Sequence, residues 1–167
     1  MDIKLLSTTN LNGADTISIT AFTDEYSLYG FTFSGIQAAS GAFGMRFNEG
    51  GTAASGSTDY SEFRRVGTDV TEWVDGHSNS TSSYMWLNWQ GLTSTGNMGG
   101  FGYIYGSQNS NRFTTMFSKS VFGSTSNVYH AYSTGRLEKN SIVDGVTLLN
   151  TNAVNFTNGK FSLYGYK

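Results

Sequence analysis

The chain holds 167 residues with a net charge of −2, and only 13% of its side chains are charged, which fits one ordinary domain spanning 1–167. That balance excludes a coiled coil, for want of a Glu, Lys, Leu and Ala excess, and argues against a nucleic-acid groove built on Lys and Arg. No apolar run approaches the roughly 18 residues a membrane-spanning helix needs.

Gly, Ser, Thr and Asn make up 77 of the 167 residues, but 25 aromatics accompany them, too many for a disordered low-complexity chain. Cys is absent, which removes disulfides, thiolate catalysis and Cys-ligated metal centres. Pro is absent too, so turns fall to Gly and Asn, which reach positive φ cheaply. Met1-Asp2-Ile3-Lys4 lacks the basic start and apolar stretch of a signal peptide.

In chain order, the first period-2 signal is Ile17-Ser18-Ile19-Thr20-Ala21-Phe22, whose large apolar residues begin two apart. Tyr26 to Phe33 carries aromatics on both faces, as the middle of a packed sheet would. Phe43-Gly44-Met45-Arg46-Phe47 alternates strictly and predicts a half-buried strand. Glu49 to Thr58 reads as a loop. Asp59-Tyr60-Ser61-Glu62 has a capping-box spacing, but Phe63-Arg64-Arg65-Val66 is too short for a helix, and Tyr60–Val66 is taken as a strand. His77 to Ser83 has almost no apolar side chains and reads as a second loop.

Further strands are expected at Tyr84–Trp89, Gly102–Tyr105, Arg112–Phe117, Val128–Tyr132, Ile142–Leu149 and Lys160–Tyr166, about ten in all. In the last of these Phe161 and Leu163 share one face and Tyr164 takes the other. The turns are expected at Asn12-Gly13, Gly50-Gly51, Asp75-Gly76, Gly99-Gly100, Asp144-Gly145 and Asn158-Gly159. Short strands, Gly-rich turns and no amphipathic helix give an all-β fold, a sandwich or a barrel. The aromatics exceed what a sandwich of this size holds inside, so some should face outward and form an interface.

Candidate chemistry is sparse. Asp69, Glu72, Asp75 and His77 flank Trp73 and form the one dense ionisable cluster, a metal or sugar site in principle. Its spacing matches no EF-hand loop, and strand ends with a turn at Asp75-Gly76 account for it. No G-x-S-x-G elbow occurs, and His77 and His130 have no neighbouring motif. Gly99 to Gly106 lacks the dinucleotide-binding spacing and reads as a hairpin whose glycines relieve crowding between aromatics. No catalytic residue, cofactor or metal is assigned.

The C-terminal segments Ile142-Val143-Asp144-Gly145-Val146-Thr147-Leu148-Leu149 and Asn155-Phe156-Thr157-Asn158-Gly159-Lys160-Phe161-Ser162-Leu163-Tyr164-Gly165-Tyr166 resemble the ending of a diffuse family of tailed-bacteriophage virion proteins. Tyr26 to Ile36, followed by Phe43-Gly44-Met45-Arg46-Phe47 and a Gly-rich loop, is similar to the same family. The match covers both ends, roughly a third of the chain. It implies a single jelly-roll-like antiparallel β-sandwich, usually trimeric, that serves as a capsid cement or head-decoration protein. The same module also serves as a tail-fibre or baseplate tip.

The expected function is therefore a non-enzymatic virion component, assembled in the host cytoplasm, that stabilises the shell as a homotrimer. Its partners would be itself and the major capsid protein or another virion protein, with neither nucleic acid nor membrane. The alternative is a receptor-binding tip that recognises host surface glycans through Trp and Tyr.

Overall fold

The computed structural model describes residues 2–68, 74–88, 91–123 and 127–167, with backbone alone for 68 and 74–81. Among the described residues there are thirteen strands and no helix: β1 (Ile3–Asn10), β2 (Thr16–Ile19), β3 (Leu28–Ala38), β4 (Phe43–Glu49), β5 (Thr52–Ala53), β6 (Tyr60–Thr68), β7 (Val74–Ser82), β8 (Met85–Asn88), β9 (Asn97–Tyr105), β10 (Thr115–Gly123), β11 (Val128–Leu137), β12 (Gly145–Asn150) and β13 (Phe156–Tyr166). An eight-stranded sheet runs β1-β13-β3-β9-β10-β11-β6-β7, and a five-stranded sheet runs β2-β12-β4-β5 with β8 beside β4. Every pairing is antiparallel. The all-β antiparallel sandwich is thus the fold.

Strand periodicity sets the core. Tyr29, Phe31 and Phe33 of β3 and Phe161 and Leu163 of β13 point inward from the larger sheet, against Phe43, Met45 and Phe47 of β4 and Val146 and Leu148 of β12 from the smaller one. Phe31 stacks on Phe161 with centroids 5.5 Å apart, and Phe33 meets Phe43 edge-on at 5.3 Å. Each aromatic thus fills space left by the ring opposite, the arrangement that buries most apolar area. Tyr60, fully buried, satisfies its hydroxyl by accepting from the Phe47 N–H at 2.8 Å and donating to the Ala54 carbonyl at 3.0 Å. That pair of bonds ties the start of β6 to the β4–β5 hairpin.

Several local expectations are corrected. The aromatics of β3 lie on one face, the inner one, with Gly30, Thr32 and Ser34 facing out. Asp75-Gly76 makes no turn, and residues from His77 onward form no loop, because both belong to β7, paired with β6. Gly99-Gly100 also makes no hairpin and lies inside β9. A Cβ at Gly100 would collide with the Phe33 ring and the Lys119 carbonyl, and one at Gly102 with the Phe31 ring and the Phe117 carbonyl. These inner positions are glycine because the rings of β3 lie across them, so the expected relief of crowding does occur, within a strand. Asn158-Gly159 sits in a bulged stretch of β13, Gly159 having a φ of 146°. The strand expected at Arg112–Phe117 begins later, at Thr115.

Gly50-Gly51 does form a two-residue hairpin between β4 and β5, with φ of 59° and 77° and Glu49 opposite Thr52. The edge strand β1 occupies the strand-like start of the chain.

Candidate functional site

Of the four residues in the acidic cluster, Asp69 and Glu72 lie outside the described residues. Asp75 and His77 stand opposite Arg65 and Phe63 in the backbone register of β7 and β6. No group of three or more His, Cys, Asp or Glu side chains gathers to hold a metal among the described residues. His130 is half-buried on the outer side of β11, opposite Val121 and Gly67.

The exposed large apolar side chains point elsewhere. Apart from Phe113 and Ile142, which lie between strands, they are Ile3, Leu5, Phe63, Phe101, Tyr105, Val121 and Val128, in strands of the eight-stranded sheet. All occupy the strand positions opposite to those that feed the core, so they share its outer face. Cross-strand register arranges this face in rows. One row runs Phe63, Thr134, Phe117, Tyr103, Gly30, Tyr164 and Leu5, from β6 across to β1. The gap at Gly30 is filled by the Tyr166 ring, which a Cβ there would approach within 2.6 Å. Tyr103 and Tyr166 meet edge-on, with centroids 6.0 Å apart.

The neighbouring rows differ in chemistry. On one side lie Arg65, Tyr132, Lys119, Phe101, Thr32 and Ser162, on the other Ser61, Arg136, Thr115, Tyr105, Leu28, Tyr166 and Ile3. The Lys119 ammonium lies 5.1 Å from the centroid of the Tyr132 ring, within cation–π range. Arg136 is fixed more firmly: Nε and Nη2 donate to Glu138 at 2.8 and 3.0 Å, and the guanidinium lies over Phe113 at 4.8 Å. The same pair raises the pKa of Arg136 and lowers that of Glu138. From β1 to β6, no outward position of the eight-stranded sheet carries Asp or Glu.

Grooves of differing chemistry lie on this face. The first, of about 620 Å³, lies over β6, β11 and β10 and is lined by Phe63, Phe117, Tyr105, Arg136 and the hydroxyls of Ser61, Thr115 and Thr134. The second, of about 460 Å³, lies toward β1 and is lined by Ile3, Thr32, Phe101, Tyr103, Tyr164 and Tyr166, with no charged side chain.

The first groove exists because the middle of β10, between the inward Met116 and Phe122, inverts the usual amphipathic pattern. Its Ser118 and Ser120 point inward and are buried, while Phe117, Lys119 and Val121 point out. Inside, β8 packs close to β10 and β11, and the Ser120 hydroxyl donates to the Leu87 carbonyl at 3.1 Å. Small inner residues let β8 approach and leave the bulky ones outside. The alternation reads the same with either face inward, so the sequence of β10 does not by itself show which face is buried. Lys119 between Phe117 and Val121 was the available signal.

Beneath the first groove lies Glu62, whose side chain is only 3% exposed. It accepts from Arg64 Nη1 and from the Trp86 N–H, each at 2.9 Å, so it anchors β8 to β6. Burial pushes its carboxyl above the ordinary 4.5, against the pull of the Trp86 bond and Arg64. A native pKa above the unfolded one means that the folded state prefers the protonated form. Glu62 therefore favours folding most below about pH 4.5, and this contribution is lost as pH rises through the raised native value. Glu62→Gln keeps an acceptor for Trp86 and cannot ionise. The melting temperature of the wild type relative to this variant should fall as pH rises through that window. A difference that stays constant from about pH 4 to pH 8 would contradict the assignment.

No protein-family model and no curated protein matches the chain. Among solved structures, that of a toad ovary galectin in complex with thio-digalactose is similar at a TM-score of 0.30 and 10% identity, over 89% of this chain and 99% of the galectin chain.

Proposed function

We propose that the protein is a non-enzymatic structural component of a bacteriophage virion, a capsid decoration protein that assembles as a homotrimer through the β1 side of its larger sheet. The resemblance of both chain ends to tailed-phage virion proteins supports the virion assignment. The observation that carries the assembly reading is the combination of Ile3 and Leu5, 59% and 54% exposed, on an edge strand beside an uncharged aromatic groove. An open strand edge with apolar side chains invites a further chain. A stable interface usually buries at least about 1,000 Å². Light scattering at micromolar concentration should give the mass of a trimer for the wild type and of a monomer for Leu5→Lys. A monomeric wild type would contradict the reading.

A second reading, a tail-fibre or baseplate tip that recognises host glycans, is favoured by the other side of the same face. There, cations, aromatic rings and hydroxyls alternate across β6, β11, β10 and β9, a mixture suited to sugar rings.

A further inference from the structure

We infer that the groove over β6, β11 and β10 binds an anionic saccharide, with Phe117 in its lining as the platform for the ring and Lys119, beside the groove and two residues along β10, as the seat for the carboxylate or sulfate. This rests on the glycan-recognition reading and is independent of how the chain assembles. Lys119 carries the argument. Its ammonium is in no salt bridge among the described residues, and Tyr132 and Phe101 stand directly opposite it on the two flanking strands. A cation set among rings on the stretch from β1 to β6, which has no outward carboxylate, in a chain of net charge −2, attracts an anion locally and not over the whole molecule.

The remaining chemistry narrows the ligand. Phe117 lies two residues along β10 from Lys119, about 7 Å away on the same face, and Phe63 lies in the same cross-strand row beyond Thr134. Apolar ring faces stack on such side chains, while the hydroxyls of Thr134, Thr115 and Ser61 offer both donors and acceptors. Arg136, held in plane by Glu138, offers its Nη1 edge at the far end of the groove. A ligand that fits carries many hydroxyls, apolar ring faces and sparse negative charge, which describes an acidic saccharide. A single strand of nucleic acid carries a phosphate at every nucleotide and binds to a continuous basic track, which this face lacks.

The test is calorimetric titration of the full chain with a galactose oligomer that ends in a single galacturonic acid, with the same oligomer methyl-esterified at that one carboxyl, and with an oligothymidylate of equal length. The acid oligomer should bind, and esterification should weaken it by about tenfold or more, the weight of one charge-assisted contact. Lys119→Gln should cost the acid oligomer a similar factor and leave the ester unchanged. Phe117→Ala should weaken both, and Leu5→Lys neither. Both Lys119 and Phe117 face outward, so an unchanged melting transition separates lost binding from lost folding. Equal binding of acid and ester would overturn the proposal while leaving glycan recognition standing. Binding of neither would overturn both, and tighter binding of the oligothymidylate would replace the saccharide by a nucleic acid.

Discussion

Phe161→Ala should lower stability by about 3–5 kcal/mol, the cost of emptying a large aromatic site that cannot collapse. Phe161 is 0% exposed at the centre of β13. It stacks on Phe31 and stands between Thr9 of β1 and Phe33 of β3 in register. The strands on either side are held by ladder hydrogen bonds, so they cannot close on the void. For a domain whose total stability falls in the usual range of about 5–15 kcal/mol, the melting temperature should drop by about 10 °C or more. Phe161→Leu, which keeps most of the volume, should lose much less. A melting temperature unchanged in the alanine variant would show that the C-terminal strand is not in the core.

The second large effect is expected from adding one methyl group. Gly102 faces inward from β9, and a Cβ there would run into the Phe117 carbonyl on β10 and the Phe31 ring on β3. The carbonyl belongs to a paired strand and cannot rotate away, so Gly102→Ala should cost about 3 kcal/mol or more, at the top of the overpacking range. Gly123 supplies the control. Among the described residues, no atom beyond its chain neighbours lies within 4 Å of a Cβ built at that position, so Gly123→Ala should be neutral or slightly stabilising, by up to about 1 kcal/mol. Chemical denaturation of the two variants would read the contrast, and equal midpoints would contradict the packing described for β9.

These two positions also mark what the sequence could reveal. Phe161 was legible, because Lys160–Tyr166 alternates and its inner face is wholly apolar. The same holds for Phe43, Met45 and Phe47, where alternation and burial coincide. Gly102 was half legible: glycines beside aromatics did signal crowding, but a Gly-Gly pair signals a turn equally well. Only the strand across the sheet decides, and at Gly99-Gly100 it is the neighbouring β3 that does. β7 was illegible because Val74–Ser82 contributes one apolar side chain. Its strand character comes from backbone pairing with β6, which no side-chain period records. β1 was legible only as a strand-like start without bounds, since an edge strand with Ile3 and Leu5 facing solvent does not show a buried stripe.

The candidate site was legible only in outline. Surplus aromatics led to the expectation of an outward-facing set, and one exists. Which rings they are depends on register: Phe117, Tyr103 and Phe63 are far apart in sequence and adjacent only once β6, β11, β10 and β9 are aligned. The acidic cluster drew notice because its members are close in sequence. Lys119 and Arg136, which stand beside the outward rings, are not near it in the chain.

The central claim is that the outer face of the larger sheet is the working surface of a virion protein, with its β1 side covered by copies of the same chain. A reconstruction of the phage particle tests this most directly. The account predicts hundreds of copies on the head, arranged in threes, with Ile3, Leu5 and Tyr164 buried between neighbours and Lys119 open to solvent. A particle without the chain, or one in which isolated copies leave Ile3 and Leu5 in solvent, would contradict it.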